Sequence, residues 1–195
     1  GSNNFTSLDV SKNPALEEVD CGGNKLIFLD VSKNLVLREL KCAANLLTSL
    51  DVSKIQTLEL LWCFSNQLSI LDVSNNKNLS DLDCRKNQLK NIDVRSNTKL
   101  NSLDCSENSL MELDIRRNPK LRHVHCSDNN LSASALNQIY ENLPKPPAPY
   151  SAQDPLGLST MVGSYTLDIR NNPGTVASNR DIAKNKGWEV WGYER

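Results

Sequence analysis

Several classes of protein are disfavoured by what this sequence lacks. No apolar run approaches the roughly 18 residues that a membrane-spanning helix needs. Because the formal net charge of the 195 residues is −1, neither nucleic acid nor an anionic membrane is indicated as a partner. The sequence also contains no G-x-S-x-G, no H-E-x-x-H and no phosphate-binding loop. We therefore predict no enzymatic activity and no cofactor.

What the sequence does contain is a repeat of 21 residues. Its only cysteines are spaced by that period, at Cys21, Cys42, Cys63, Cys84, Cys105 and Cys126. Around each of them the pattern L-x-x-(L/V)-x-C-x-x-N recurs and closes on Asn24, Asn45, Asn66, Asn87, Asn108 and Asn129. A fixed period in the twenties with this frame is typical of a leucine-rich repeat. We predict a solenoid over residues 1–131, with six 21-residue repeats plus a partial first one.

Each repeat divides into two similar halves, such as residues 37–45 and 47–55. Both halves place apolar residues at relative positions 4 and 6, which predicts a short strand with one buried face. No repeat has room for a helix. The predicted fold is an α/β, mostly β, right-handed solenoid with a parallel sheet on its concave face. The closing asparagine is expected to turn the chain, with its amide binding backbone groups that the bend leaves unpaired.

The cysteines occupy an inward position, so we expect them to stack as one buried column. Neighbouring strands lie about 4.8 Å apart with parallel Cβ vectors, whereas a disulfide prefers a Cβ separation near 3.8 Å and converging vectors. A free cysteine behaves as a small apolar residue. We predict free, structural thiols.

The second half of the repeat carries two further columns. Position 5 is aspartate in every copy, and position 7 is serine in the first four copies and then Arg95 and Arg116. We expect the aspartates to accept hydrogen bonds from backbone N–H, serine or arginine groups. A calcium-binding column is the alternative, although the glycine-rich nonapeptide of calcium-binding β-rolls is absent. A separate asparagine column is interrupted by Ile55, which predicts a local irregularity in the third repeat.

After Leu131 the period stops, and we predict a C-terminal α/β cap over residues 132–195 that is continuous with the solenoid. Residues 132–143 have an apolar stripe and a serine N-cap, which predicts a helix. A loop is expected over 145–162, a seventh strand over 166–172 and a last strand over 188–191. A second helix is predicted from Ser178, with Asp181 completing a capping-box-like pair, to Gly187 as its C-cap. Such a cap shields the open end of a solenoid core.

The outward positions of the first half vary from copy to copy, as expected of a scaffold that displays a binding surface. The main candidate is the run Leu60, Trp62 and Phe64, because most other copies carry small or charged residues there. Exposed aromatic clusters often mark interaction sites. Lys41, Asp83 and Arg85 are expected to form a polar rim. Self-association or local packing are the alternatives for this patch.

A secondary candidate is His123 with His125, next to Asp104 on the preceding strand. An i, i+2 histidine pair with a carboxylate has the donor types that zinc uses. However, the sheet face is open and no fourth ligand is evident, so we predict exposed histidines that tune surface charge near neutral pH and no metal site. An open face also gives Asp83 and Asp104 no water exclusion for acid–base catalysis.

The unit L-x-x-L-x-C-x-x-N-x-L-x-x-L-D-V-S-x-N-P resembles that of bacterial leucine-rich-repeat surface proteins, especially those of Bacteroidetes. It is more distantly similar to the internalins. The resemblance covers residues 5–131, and the tail D-I-R-N-N-P-G-T followed by K-G-W is similar to the C-terminal cap of the same group. It implies a secreted or lipid-anchored protein that binds other macromolecules, without catalytic residues.

The function expected from this resemblance is non-catalytic recognition of a protein or peptide on the concave sheet face. A structural or self-associating surface component, which would form a homo-oligomer, and a carbohydrate-binding module are the alternatives for the Trp62 patch. The sequence opens part-way into a repeat, without an initiator methionine, a basic start or an apolar stretch. We expect it to be a piece of an extracellular or cell-surface bacterial protein whose export signal has been removed.

Overall fold

A computed structural model of the chain describes residues 3–146 and 164–192. Its centre is one parallel sheet of eight three-residue strands in sequence order. The strands are β1 (Glu18–Asp20), β2 (Glu39–Lys41), β3 (Leu60–Trp62), β4 (Asp81–Asp83), β5 (Ser102–Asp104), β6 (His123–His125), β7 (Thr166–Asp168) and β8 (Glu189–Trp191). Helix α1 (Ala133–Asn142) lies between β6 and β7, and helix α2 (Asp181–Lys184) lies between β7 and β8. None of the helices in these ranges is long and apolar enough to cross a membrane.

The register of the sheet follows the repeat. Val19 pairs with Leu40, and Leu40 with Leu61, each 21 residues further along the chain. The middle residue of every strand from β1 to β6 is buried, while its two neighbours face outward. A parallel-sheet solenoid with 21-residue turns is therefore confirmed. The ladder continues unchanged through β7 and β8, where the sequence period has already stopped.

The core is a single stack of apolar columns that runs from Val10 to Trp188. All six cysteines lie in it as free, buried thiols, which confirms the predicted column. Burial raises the pKa of Cys21, in the first full repeat, to about 11. It raises the pKa of the deeper thiols, such as Cys63, further. These thiols stay protonated at neutral pH and lack the thiolate that nucleophilic chemistry needs.

The closing asparagines make the turn at the end of each strand. The Asn66 Nδ2 donates to the Cys63 carbonyl at 3.0 Å and to the Cys42 carbonyl of the preceding turn at 3.1 Å. Its Oδ1 accepts from the Leu47 N–H at 3.0 Å. The residue before each asparagine has a positive φ, as at Ser65 (φ 53°), a conformation that L-residues adopt at some cost. The predicted role of the asparagines is confirmed.

The two predicted columns of the second half are also present. In the aspartate column the Oδ1 atom accepts from the backbone N–H two residues on, as in Ser53 to Asp51 at 2.9 Å. In the asparagine column, the Asn97 Nδ2 donates to the Val73 and Asn76 carbonyls at 2.9 Å each. Ile55 replaces this amide in the third repeat and is fully buried. The expected irregularity is thus an apolar side chain where its column neighbours place an amide.

The cap follows the prediction in its first helix and departs from it in the second. Helix α1 begins after Ser132, whose Oγ accepts from the Ala135 N–H at 3.2 Å. Helix α2 has no side-chain cap and spans only Asp181–Lys184, so the predicted capping box at Ser178 is wrong. Ser178 instead bonds the buried Tyr140 hydroxyl at 2.8 Å and donates to the Thr175 carbonyl at 3.1 Å. Most of the predicted loop at 145–162 lies outside the described residues.

Burial of the turn asparagines sets their contribution to stability. We expect Asn66→Ala to lower the free energy of unfolding by about 3 kcal/mol, because buried backbone groups lose their partners. Asn24→Ala is the matched control. Asn24 donates to the Cys21 and Gly22 carbonyls of its own turn at 2.9 and 3.2 Å and is half-buried, so water replaces these bonds at a cost of about 1 kcal/mol. Urea denaturation measures both, and equal losses would contradict the argument.

Candidate binding surface on the sheet

The outward positions of the strands line up in columns along the sheet face. The central column runs Asp20, Lys41, Trp62, Asp83, Asp104, His125, Asp168 and Trp191. The column beside it contains Leu60, between Glu39 and Asp81. The outward candidates that lie within the strands therefore occupy one continuous face.

Trp62 is held in place by polar neighbours on both sides. Its indole Nε1 donates to Asp81 Oδ1 at 2.9 Å, and the Lys41 Nζ lies 5.5 Å from the ring centroid, within cation–π range. Lys41 is itself paired with Glu18 at 2.8 Å and with Glu39 at 2.7 Å. Even so, 36% of Trp62 stays exposed. The indole is thus oriented by its neighbours and still open to a partner.

Phe64 and the predicted rim residue Arg85 contact each other. The Arg85 Cζ lies 4.5 Å from the Phe64 ring centroid. The same guanidinium places its Nη1 atom 3.1 Å from Asp104 Oδ2 and 3.5 Å from Asp83 Oδ2. Arg85 thus joins the aromatic run to the carboxylates of the next two strands. Phe64 itself is half-buried.

The carboxylates of Asp83 and Asp104 face each other across β4 and β5 and ionise differently. Burial, with the neighbouring Asp104 carboxylate second, raises the pKa of Asp83 to about 6, although Arg85 opposes the shift. Burial also acts to raise the pKa of Asp104, but the interactions of its carboxylate with His125, Ser106 and Arg85 outweigh burial and lower it. Among these contacts the Ser106 hydroxyl donates at 2.6 Å and the Arg85 guanidinium at 3.1 Å. Asp104 is the stably charged member of the pair.

The two histidines have different surroundings. His125 Nδ1 lies 3.6 Å from Asp104 Oδ2, and this carboxylate raises the pKa of His125 although burial opposes it. His123 shares a hydrogen bond of 2.9 Å with the Thr166 hydroxyl, and burial lowers its pKa. Across residues 3–146 and 164–192, no group of three or more His, Cys, Asp or Glu side chains is placed to hold a metal ion.

The sequence-based prediction did not identify two features of this face. The Trp191 ring lies 5.8 Å from the His125 ring, so a second tryptophan closes the far end of the central column. Asp168 lies between them in the column. Its carboxylate accepts hydrogen bonds from Arg170 Nε at 2.9 Å and from Arg170 Nη2 at 2.7 Å. Trp191 belongs to the strand predicted over 188–191, so that strand was the signal that could have identified it.

Other apolar side chains are exposed away from the strands. Phe28 and Ile70 occupy equivalent positions of their repeats and are 64% and 74% exposed, more than Trp62. Ile27 and Met111 share a second position and are 67% and 71% exposed. The sequence prediction, which compared only strand positions, did not identify them. In the described part of the chain no cation or carboxylate contacts their side chains, unlike the indole of Trp62, so they make suitable controls.

Solved structures of bacterial leucine-rich-repeat proteins share this fold, among them the following three. The functional domain of InlJ from Listeria monocytogenes, which includes a cysteine ladder, is 30% identical with a TM-score of 0.61. The chain thus has the leucine-rich-repeat fold of the internalins. An internalin, InlF, from the same species is 16% identical with a TM-score of 0.70. A leucine-rich-repeat protein from Leptospira interrogans is 20% identical with a TM-score of 0.57.

These comparisons define how much of each protein is shared. The chain is covered to 94%, 98% and 96%, whereas it spans 40%, 54% and 58% of the InlJ, InlF and Leptospira chains, respectively. No protein-family model and no curated protein matches the sequence. The internalin-like fold therefore rests on structure, together with the six stacked cysteines that the InlJ domain parallels with its own ladder.

The Asp83–Asp104 pair predicts opposite effects of two similar substitutions. The folded pKa of Asp83, about 6, exceeds its ordinary value of 3.8, so its ionisation destabilises the fold as pH rises between these values. We expect Asp83→Asn to raise the free energy of unfolding by about 2 kcal/mol at about pH 7.5 and to have almost no effect below about pH 4.

Asp104→Asn is the matched comparison on the adjacent strand. Its lowered pKa contributes stability above the unfolded pKa, and this is lost as pH falls through the folded pKa. We therefore expect a loss of stability at neutral pH that shrinks in acid. Denaturant unfolding of both variants across pH provides the measurement. A destabilising Asp83→Asn at neutral pH would contradict the assignment.

Proposed function

We propose that this internalin-like chain is a non-catalytic recognition module that binds a protein or peptide through the outward sheet face around Trp62. The observation that carries the proposal is the half-exposed indole, fixed by Asp81 and Lys41 within a field of paired charges. Tryptophan in such a setting supplies large contact area at low entropic cost, and it is enriched among residues that dominate binding energy.

The size of the face supports a macromolecular partner. Eight strands at about 4.8 Å spacing extend over about 34 Å, which is enough for a peptide or a protein edge. Along the central column, the aromatic rings of Trp62 and Trp191 stand on either side of Asp83 and Asp104, while Asp168 is buried and paired with Arg170. A partner with apolar side chains at two points and basic or amide groups between them would complement this arrangement.

The same geometry argues against catalysis. The Asp83 carboxyl has a pKa near the working range of a general acid. It nevertheless lies on an open sheet face beside Arg85, an arrangement that gives little of the water exclusion that acid–base catalysis uses. We propose an extracellular or cell-surface location for the protein, supported by the surface-protein resemblance of its repeats.

The proposal is tested by capture from host and bacterial surface extracts. Immobilised wild-type chain is compared with Trp62→Ala/Phe64→Ala, after circular dichroism shows that both are folded. A species retained by the wild type should be lost or reduced about tenfold in the variant, as expected when an interface anchor is removed. Purified binder is then titrated by calorimetry.

Phe28→Ala/Ile70→Ala is the matched control, because it removes two exposed apolar side chains elsewhere on the solenoid. It should leave capture unchanged. Equal loss in both double variants would indicate non-specific apolar adhesion and contradict the proposal. Recovery of the chain itself, with a concentration-dependent dimer in light scattering that Trp62→Ala abolishes, would favour self-association. Retention of a glycan in place of a protein would favour the carbohydrate alternative.

A further inference from the structure

A second candidate site lies in the other half of the repeat, beside helix α1. A cleft of about 610 Å³ is lined by Asp93, Arg95, Ser96, Asp114, Arg116 and Arg117. A wider groove of about 840 Å³ shares four of these residues and reaches Gln138, Glu141 and Asn142 on α1. The sheet-face residues around Trp62 line neither of them.

Two arginines stand in this cleft where earlier repeats have serine. The Asp51 carboxylate already accepts from the backbone N–H of Ser53 at 2.9 Å, and the same bond, from Arg95 to Asp93, measures 3.0 Å. The aspartates therefore bind the backbone N–H of the turn without help from a guanidinium. Arg95 and Arg116 add positive groups that the turn does not require.

Their geometry leaves part of each guanidinium available. In Arg95, Nε donates to Asp93 Oδ1 at 2.9 Å and Nη2 to Oδ2 at 2.6 Å. Arg116 grips Asp114 in the same way, at 2.9 and 2.7 Å. Within the described part of the chain, no group accepts a hydrogen bond from the Nη1 of either arginine, and the two side chains are 58% and 67% exposed. Each Nη1 carries two N–H donors.

The charges favour an anion at this point. Three arginines against two aspartates leave one positive charge in the smaller cleft. Arg95 and Arg116 come from consecutive turns, about 4.8 Å apart, and their like charges repel each other. Hydrogen bonds from Arg116 and Arg95 lower the pKa of Asp114 and Asp93 to about 2. The Arg95–Asp93 and Arg116–Asp114 ion pairs therefore persist throughout the neutral pH range, and they hold the guanidinium groups in a fixed orientation.

The lining of the wider groove indicates which kind of molecule would carry the anionic group. Towards helix α1 its lining includes the carboxylates of Glu112 and Glu141 and the amides of Asn91 and Gln138. A polyanion would be repelled by these carboxylates, whereas sugar hydroxyls donate to carboxylates and bond with amides. We propose that this flank binds an acidic saccharide, with its carboxylate or phosphate on the paired Nη1 groups of Arg95 and Arg116 and its neutral hydroxyls towards α1.

The test is an NMR titration of the whole chain with cellobiouronic acid, which joins one uronate to one neutral glucose. We expect saturable shifts of the Arg95 and Arg116 Nε–H signals, weakening with salt, and no such shifts with cellobiose. Glucose 6-phosphate distinguishes a phosphate from a carboxylate as the preferred anion. Arg95→Ser/Arg116→Ser should reduce the affinity about tenfold, and it restores the serine that the first four repeats carry.

Arg170→Ser is the matched control, because Arg170 grips Asp168 with the same geometry on the sheet face. It should leave the affinity unchanged, whereas Ser74→Arg, which extends the arginine pair by one turn, should increase it about twofold. Absence of saturable binding, or an equal loss in Arg170→Ser, would overturn the proposal. Binding of inorganic phosphate as tight as that of cellobiouronic acid would overturn the assignment to a saccharide.

Discussion

The hydrogen bonds of the buried turn asparagines are the constraint on which this solenoid depends. Each 21-residue turn bends sharply after its strand, and the bend buries backbone groups that the sheet ladder no longer pairs. One amide satisfies them within its own turn and in the preceding turn, as Asn66 does with Cys63 and Cys42. Because each amide ties two turns together, removing one disturbs both. The turn at Asn172 in the cap repeats the arrangement with Ile169 and Cys126.

Once these columns are fixed, the remaining positions are free to differ. Cysteine fits the inward column because its small apolar side chain packs against the next turn without needing a partner. Outward positions carry no such requirement, and there the chain varies from Asp20 to Trp62 to His125 along a single column. Single substitutions at these positions change the surface while the repeat backbone stays the same. A repeat scaffold can therefore present different binding surfaces.

The charged groups on the two faces behave differently. On the sheet face, Arg85 is shared between Asp83 and Asp104, so one carboxyl is left with a raised pKa. On the flank, Arg95 and Arg116 each have a carboxylate of their own, and both aspartates have lowered pKa values. The first arrangement leaves a carboxyl group that is readily protonated, and the second leaves guanidinium donors without an acceptor among the described residues. The two faces therefore suit ligands of different chemistry.

The sequence by itself determined the solenoid, the buried free cysteines, the turn asparagines and the column in which each repeat residue lies. It did so because residues one period apart are neighbours in adjacent turns, so a constant period fixes the register. Only the tertiary structure decided that Lys41 lies over Trp62, that Arg85 is shared by two carboxylates and that Trp191 stands beside His125. A long side chain has several possible partners within reach, so the sequence does not determine which of them it contacts. After Leu131 no period links position to neighbour, so Ser178 bonds Tyr140 instead of capping a helix.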